Sequence, residues 1–363
     1  MRRKPTIRDI AREVGVSDTA VSLAFQQSPR VSEPTRAKIL AAARRLNYFP
    51  NRSARNLRYG DSRTIGFVVI EITNPFYSRM IRSAEEIALE LGYSILFAES
   101  CWDPQKEVRI VSNMVENRVA GILMCFCEKT GESLTLIEQS RLPLIAVDTY
   151  PFHYTGAYVA NALGSAGRMA AEHLLQAGCR HPVFFNASPA ISSFSSFQLL
   201  LKGFREGLRA GGLSLPDSAL INAEWTIEGG RKGFHDLLSR RQPFDGIFCV
   251  NDLSAYGVID AADEKGLAAG RDFAIMGIDN LELSGVSRVS LTSIDQPYDR
   301  IITLATRAMI AGIENNRPCT IRKRLTPSLI VRESTRLRGR PERVSAGRIR
   351  PSPTPRSSPP RRG

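Results

Sequence analysis

Cysteine is sparse. The six residues Cys101, Cys125, Cys127, Cys179, Cys249 and Cys319 lie scattered through apolar or helical stretches, without the C-x-x-C pairs of zinc or redox sites. Buried, reduced thiols of a cytosolic protein are the expectation that follows. The four histidines, His153, His173, His181 and His235, show no metal-ligand spacing. No G-x-S-x-G, P-loop or G-x-G-x-x-G segment occurs, and no nucleophile and base can be paired. An enzyme is therefore not expected, nor any cofactor or metal. The basic start MRRKPTIRDI leads into no apolar run of signal-peptide length, and no stretch reaches the about 18 consecutive apolar residues of a spanning helix. Neither export nor a membrane partner is expected.

What is present is 363 residues, enough for two or three domains, with 43% hydrophobic residues to fill their cores. The formal charge of +13 is unevenly spread. Residues 1–60 hold 13 Arg or Lys against 4 Asp or Glu, and residues 336–363 hold nine Arg against Glu342 alone. These ends contribute +9 and +8, which leaves −4 for the segment between. A basic head on a mildly acidic body suits a phosphate-binding module joined to an ordinary soluble domain.

Within the head, Thr6 precedes apolar Ile7, Ile10, Ala11 and Val14 at helical spacing, and Asp9 sits in the first turn, where the helix dipole favours a carboxylate. Gly15 supplies a residue tolerant of positive φ. Ser17 is the N-cap of a second helix that turns Ala20, Val21, Ala24 and Phe25 inward. A third helix opens at Ser32 and runs through Ile39, Leu40, Ala43 and Leu46. Two short helices joined by a glycine turn, with a third closing the core, form a helix-turn-helix. The solvent face of the second helix offers Ser17, Asp18, Thr19 and Ser22, short polar side chains able to approach base edges in a major groove. A helical hairpin used for protein contacts is the plainer alternative, and the head's charge weighs against it. NRSARNL, residues 51–57, is helix-compatible but too short to be stable alone, and is expected to order on DNA.

The stretch TIRDIAREVGVSDTAVSLAFQQSPRVSEPTRAKILAAARRLNYFPNRSARNL resembles the head and hinge of the lactose-repressor and galactose-repressor family. The resemblance implies DNA contacts from Thr6, Ser17, Asp18, Thr19 and Ser22. It also implies a hinge around Asn51 and Arg52 in which Leu57, with Ala54 beside it, wedges between base steps of the minor groove. Two residues depart from the family's habits: Leu23 stands where arginine or histidine is frequent, and Asp18 where many members carry a neutral or aromatic residue. Asp18 can accept from a cytosine amino group or repel wrong sites.

From Thr64 the pattern changes to short apolar runs alternating with amphipathic helices, as βαβ units and parallel sheets require. Strands are expected at residues 64–70, 93–99, 121–126, 143–148, 182–186, 246–250, 273–279 and 290–295, with helices at 77–91, 164–177, 198–210, 229–239 and 252–265 among those between them. So many strands divide more readily into two doubly wound α/β lobes than into one sheet. The resemblance extends to about Arg336 and implies a fold of the periplasmic-binding-protein type I. The fold class expected is thus α/β: an all-α helix-turn-helix head plus a two-lobed doubly wound body. The domains would be a head over 1–50, a hinge over 51–60 and a body over 61–335. Lobe 1 would take about 61–160 and 296–325, and lobe 2 about 161–295 and 326–335.

Ligands of such sheets sit beyond the carboxyl ends of the strands, which in a two-lobed body means the cleft. Phe76 and Tyr77 follow the first strand, Asp148 ends the fourth, Asn251 and Asp252 follow the sixth, Asp279 closes the seventh, and Trp225 precedes a helix. The resemblance implies effector contacts at Phe76, Tyr77, Asp148, Trp225, Asn251 and Asp279. Aromatic faces would meet sugar or base rings, and carboxylates would accept from hydroxyls. Asp252 reads rather as a cap of the following helix, and core is the plainer reading of Trp225. Family members often carry an arginine three residues before a Gly-Phe pair; before Gly203 and Phe204 that position is Leu200, which favours a less polar or differently anchored effector.

The tail RLRGRPERVSAGRIRPSPTPRSSPPRRG has too little apolar content to order itself and carries no leucine heptad. Its arginines would attract phosphate without sequence preference. The whole reads as a cytoplasmic, nucleoid-associated transcriptional regulator and repressor. Its partners would be a pseudo-palindromic double-stranded DNA operator, a sugar or other metabolite as effector, and a second copy of itself as homodimer. A solute-binding protein would be exported, which the start contradicts. A ligand-independent DNA binder would be favoured by a cleft filled with its own side chains.

Overall fold

The first helix starts at Thr6 because its neighbours satisfy an end that would otherwise be unpaired. In the computed structural model, which describes residues 5–25, 28–48, 62–127 and 131–337, the Asp9 carboxylate accepts from the Thr6 N–H at 2.8 Å and the Thr6 hydroxyl at 2.7 Å. Helix α1 (Ile7–Val14) ends at Gly15, whose φ of 74° lies in the left-handed region and lets its N–H reach the Ala11 carbonyl. The Ser17 hydroxyl then accepts from the Ala20 N–H at 3.1 Å at the start of α2 (Asp18–Phe25), and α3 (Glu33–Arg45) closes the head. Its core is Ile10, Ala11, Val21, Ala24, Val31, Ile39, Ala42 and Ala43. Leu40, expected inside, is only half-buried; Ala42 takes the inner position because it and Ala43 follow Ile39 by three and four residues. Residues 1–62 and 63–363 are separate units. The hinge residues Asn51, Arg52, Ala54 and Leu57, and the tail from 338 onward, lie outside the described residues.

The second unit carries two six-stranded sheets. In the first, β1 (Thr64–Val69), β2 (Ser94–Glu99), β3 (Gly121–Met124), β4 (Leu144–Asp148), β5 (Ala157–Asn161) and β11 (Arg322–Leu325) stand in the order β11-β5-β4-β3-β1-β2, all parallel. In the second, β6 (Pro182–Asn186), β7 (Leu220–Asn222), β8 (Gly246–Cys249), β9 (Ala274–Ile278), β10 (Thr292–Asp295) and β12 (Ser328–Ile330) run β12-β10-β9-β8-β6-β7, with β12 alone antiparallel. Helices cover both sheets: α4 (Pro75–Glu90), α5 (Pro104–Glu116), α6 (Glu132–Gln139) and α11 (Tyr298–Glu314) on the first, α7 (Leu163–Gln176), α8 (Ser195–Ala210), α9 (Ile227–Ser239) and α10 (Asp252–Asp263) on the second. Strands covered on both faces read as unbroken apolar runs, and β1, β6 and β9 are buried almost throughout.

The chain passes between lobes after Asn161, after Asp295 and after Leu325. Three passages this short bring the carboxyl ends of both sheets to one cleft. In lobe 2, α7 and α8 approach until backbones touch: a Cβ on Gly203 would lie 2.0 Å from the Gly164 carbonyl oxygen, and one on Gly167 the same distance from that of Leu200. Below them Phe184, Phe204 and Phe248 form an aromatic triad with ring centroids 5.4 to 5.5 Å apart. Among the described residues no helix is long and apolar enough to cross a membrane, and no group of His, Cys, Asp or Glu is placed to hold a metal.

Candidate functional site

On the head, Ser17, Asp18 and Thr19 are exposed at the opening of α2 and Ser22 follows half-buried one turn on. Thr6 is half-buried, with its hydroxyl on Asp9. Arg8 Nε lies 3.5 Å from the Asp18 carboxylate, an exposed pair linking α1 to α2. Leu23, where the family favours a base, packs half-buried against the head core, so leucine here extends the hydrophobic contact.

In the body, Phe76, Tyr77, Asp148, Trp225, Asn251 and Asp279 all border one cavity of about 70 Å³ between the lobes. Each arrives by a local device. Asn74 accepts from the Phe76 N–H at 3.0 Å and so caps α4, setting Phe76 and Tyr77 on its first turn. Asp148 and Asp279 close β4 and β9 with φ of 68° and 111°, the left-handed side that non-glycine residues rarely adopt. Asn251 caps α10 by accepting from the Ser254 N–H at 2.8 Å, and its amide donates to the Trp225 carbonyl at 2.7 Å. That amide thus fixes the loop that carries the indole.

Asp252 neither caps α10 nor borders the cavity. Its carboxylate accepts from the Leu281 N–H at 2.8 Å, the Ser284 hydroxyl at 2.6 Å and the Ser293 hydroxyl at 2.6 Å, binding three segments of lobe 2 together.

Several lining residues were not anticipated: Asn74, Trp102, Ser196, Phe197 and Gln296 among them. Gln296 directly follows β10 and Trp102 stands three residues past β2, so the strand-end rule reaches both. Cys101 and Trp102 both adopt positive φ, 53° and 57°, a tight turn that presents the indole to lobe 2. There its ring lies 4.4 Å from that of Trp225, 5.2 Å from Phe194 and 5.6 Å from Phe197. The cleft is thus largely filled by its own side chains. A second cavity of about 340 Å³ adjoins it, sharing Asn74, Tyr77, Trp225 and Asn251 and adding Glu71 and Glu228.

Burial governs the electrostatics. It pushes the Asp148 carboxyl up to about 7, against a hydrogen bond from Asn161 that favours the charged form. Asp279 is raised well above the carboxylate range by burial and by the charge of Asp252, although Asn74 and Gln296 donate to it at 3.3 and 2.6 Å. Burial also raises the Tyr77 hydroxyl. Trp102 Nε1, Ser196 Oγ and Gln296 Oε1 are buried without a hydrogen-bond partner. A further hollow of about 810 Å³ opens at the amino ends of β4 and β5, bordered by Arg141, Tyr154 and Arg317, and includes none of the anticipated residues.

Residues 6–51 match the family described as bacterial regulatory proteins, lacI family, and residues 171–335 match the periplasmic binding protein-like domain. The ribose operon repressor of Escherichia coli (strain K12) is 30% identical over 330 residues, covering 91% of this chain and 99% of the relative. The HTH-type transcriptional repressor PurR of Pectobacterium atrosepticum is 29% identical over 332 residues, covering 91% of this chain and 96% of its own length. Among solved structures, the lac repressor dimer bound to operator and the anti-inducer ONPF superposes with a TM-score of 0.81 at 23% identity, over 92% of this chain and 99% of that one. The transcriptional regulator CelR in complex with cellobiose superposes at 0.69 and 22% identity, over 91% and 99%. Helix-turn-helix head, two-lobed body and full-length relatives agree: this chain belongs to the lacI family of bacterial regulatory proteins.

Proposed function

We propose that the chain is a sequence-specific DNA-binding repressor of transcription whose operator affinity is set by a small molecule held between the lobes of its body. One observation carries this reading. A single chain joins a helix-turn-helix with exposed Ser17, Asp18 and Thr19 to a body in which Phe76, Tyr77, Asp148, Trp225, Asn251 and Asp279 border one cavity. Thr6, Ser17, Asp18, Thr19 and Ser22 are the residues assigned to DNA, with Asn51, Arg52, Ala54 and Leu57 assigned to the minor groove. The head takes 1–50, the hinge 51–60 and the lobes the remainder to 335.

The protein works as a homodimer, since one recognition helix reads too few base pairs for useful specificity. Support comes from the outer strand β2, where Leu96 and Phe97 are 40% and 49% exposed beside Leu89 at 73%. The effector acts by favouring one arrangement of the two lobes over another, and so one spacing of the two heads. Its place of action is the nucleoid, in the cytoplasm. Genome-wide footprinting of the full chain tests the reading: sites with two-fold symmetry are expected, and a protein that preferred no duplex over random competitor would refute it.

The tight packing of Trp102 against Trp225, Phe194 and Phe197 favours a second reading, a DNA binder that needs no effector. Operator affinity indifferent to every metabolite tried, with unchanged tryptophan emission, would select it.

A further inference from the structure

The cleft is acidic and aromatic at once. Among the described residues, the linings of the two adjoining cavities include Asp148, Asp279, Glu71 and Glu228 but no Arg, Lys or His. Glu228 faces Lys232 at 3.7 Å and Arg231 at 3.9 Å, and Glu71 accepts from Thr73, so these two are accounted for on the surface. Asp148 and Asp279 are not. Around Asp148 stand Asn161, Tyr77, Cys125 and, farther off, Asp279; around Asp279 stand Asn74, Gln296, Asp252 and Asp148. The nearby guanidiniums are turned elsewhere: Arg79 lies over the Tyr298 ring, and Arg332 donates to the Leu291 carbonyl and the Asn280 side chain. Leu200, with its apolar side chain, occupies the wall.

Two further observations bear on what the cleft can hold. Ser196 Oγ and Gln296 Oε1, in residues 8% and 7% exposed, border the cavity without a partner, and a buried polar atom left so costs free energy until something fills it. Four aromatic rings, those of Trp102, Trp225, Phe197 and Phe76, line the same cavity as the two carboxyls. Such faces attract a cation through the ring quadrupole, and do so most strongly where water is excluded.

Resting on the reading of this cleft as the effector site, we propose that its ligand is a small organic cation, an ammonium group on a compact body, held by Asp148 and Asp279 beside the Trp102 and Trp225 rings. An anionic effector meets two buried acids and, among the described lining residues, no counter-charge. Burial alone favours the protonated acids, and an ammonium group offers charge pairing in place of the proton. The ligand also makes binding pH-dependent. With Asp148 held at about 7, a cation that needs its ionised form gains up to about tenfold in affinity per pH unit below that value and levels off above it.

Calorimetric titration of the full chain with matched probes tests this. Choline, its uncharged carbon isostere 3,3-dimethylbutan-1-ol and the anion 3,3-dimethylbutyrate form one series; glucosamine, glucose and glucuronate form another. The cation of at least one series should bind about tenfold or more above its neutral partner, as one ionised partner allows. The advantage of choline, whose own charge does not titrate, should grow from about pH 5 to about pH 7. In Asp148→Asn that ratio should fall towards one; Asp279→Asn serves if the first variant does not fold. A neutral or anionic probe binding as well as the cation overturns the inference and leaves the cleft an effector site. Silence from all six probes overturns it too, while the footprint still decides whether the chain is a regulator.

Discussion

Trp102 of lobe 1 and Trp225 of lobe 2 face each other across the cleft with ring centroids 4.4 Å apart and planes inclined at 52°. They are the only two tryptophans in the chain, so its indole spectroscopy reports on the cleft alone. A coupled pair of near-ultraviolet circular dichroism bands is expected, lost in both Trp102→Phe and Trp225→Phe and weakened by any ligand that parts the lobes. A signal that survives either substitution would mean that the rings do not meet in solution.

The carboxyl at 148 sets a pH dependence whose sign is fixed by burial. Its folded value of about 7 lies above the ordinary 3.8, so between these limits the folded state keeps a proton that the unfolded chain has released. Stability from this group is complete below about pH 4, is lost as pH rises through 7 and is flat above, at no more than about 1.4 kcal/mol per pH unit. Asp252, at about 6, acts in the same direction. Thermal melts of the wild type should fall from pH 5 to 7 more steeply than those of Asp148→Asn; parallel curves would contradict the assignment.

Gly203→Ala tests the helix contact beneath the cleft. A methyl group 2.0 Å from the Gly164 carbonyl forces α7 and α8 apart, at a cost of about 1–3 kcal/mol or more. Urea unfolding should show a lowered midpoint, and an unchanged midpoint would show that the helices are not so close.

Removing the Asp252 carboxylate strands three donors, the Leu281 N–H and the hydroxyls of Ser284 and Ser293. Asp252→Ala should destabilise by about 3–5 kcal/mol, as the loss of a buried hydrogen-bonded charge does. Asp252→Asn, which keeps an acceptor, should lose less. Equal losses in the two variants would show that packing alone matters there.

In the head, Ser17→Ala removes the acceptor of the Ala20 N–H and should cost about 1 kcal/mol of stability. Asp18→Ala breaks a surface pair with Arg8 whose side chains are 53% and 83% exposed, and should leave stability within about 0.5 kcal/mol while changing which operator bases are preferred. Base-substitution binding profiles that are identical for Asp18→Ala and wild type would remove Asp18 from the reading face.

Legibility in the sequence followed hydrophobic content. All eight expected strands appear within a few residues of their expected ends; most are buried between helix layers and so read as apolar runs, and the outer strand β2 is apolar although partly exposed. The four strands not expected carry no such signal. β11 reads RKRL, is largely exposed and exists because it pairs with β5 at an outer edge, where charged side chains also block further pairing. β5 reads AYVAN, and β7 and β12 have three residues each. At the site, chain order reached Phe76, Tyr77, Asp148 and Asp279 through the ends of their strands, but Trp102 lies in a loop whose orientation depends on two positive φ values that no periodicity encodes.

By itself, then, the sequence determined the local grammar: a capped helix stopped by Gly15, a recognition helix opened by Ser17, alternating strands and helices, and a basic head. Each of these depends on neighbours within a few residues. Only the tertiary structure decided that Trp102 meets Trp225, that Asp148 and Asp279 share one cavity, and that Asp252 ties loops together rather than capping its helix. Periodicity states which face of an element is buried but not against what. Here the partners are chosen by three short passages between lobes, which bring together strand ends more than a hundred residues apart in the chain.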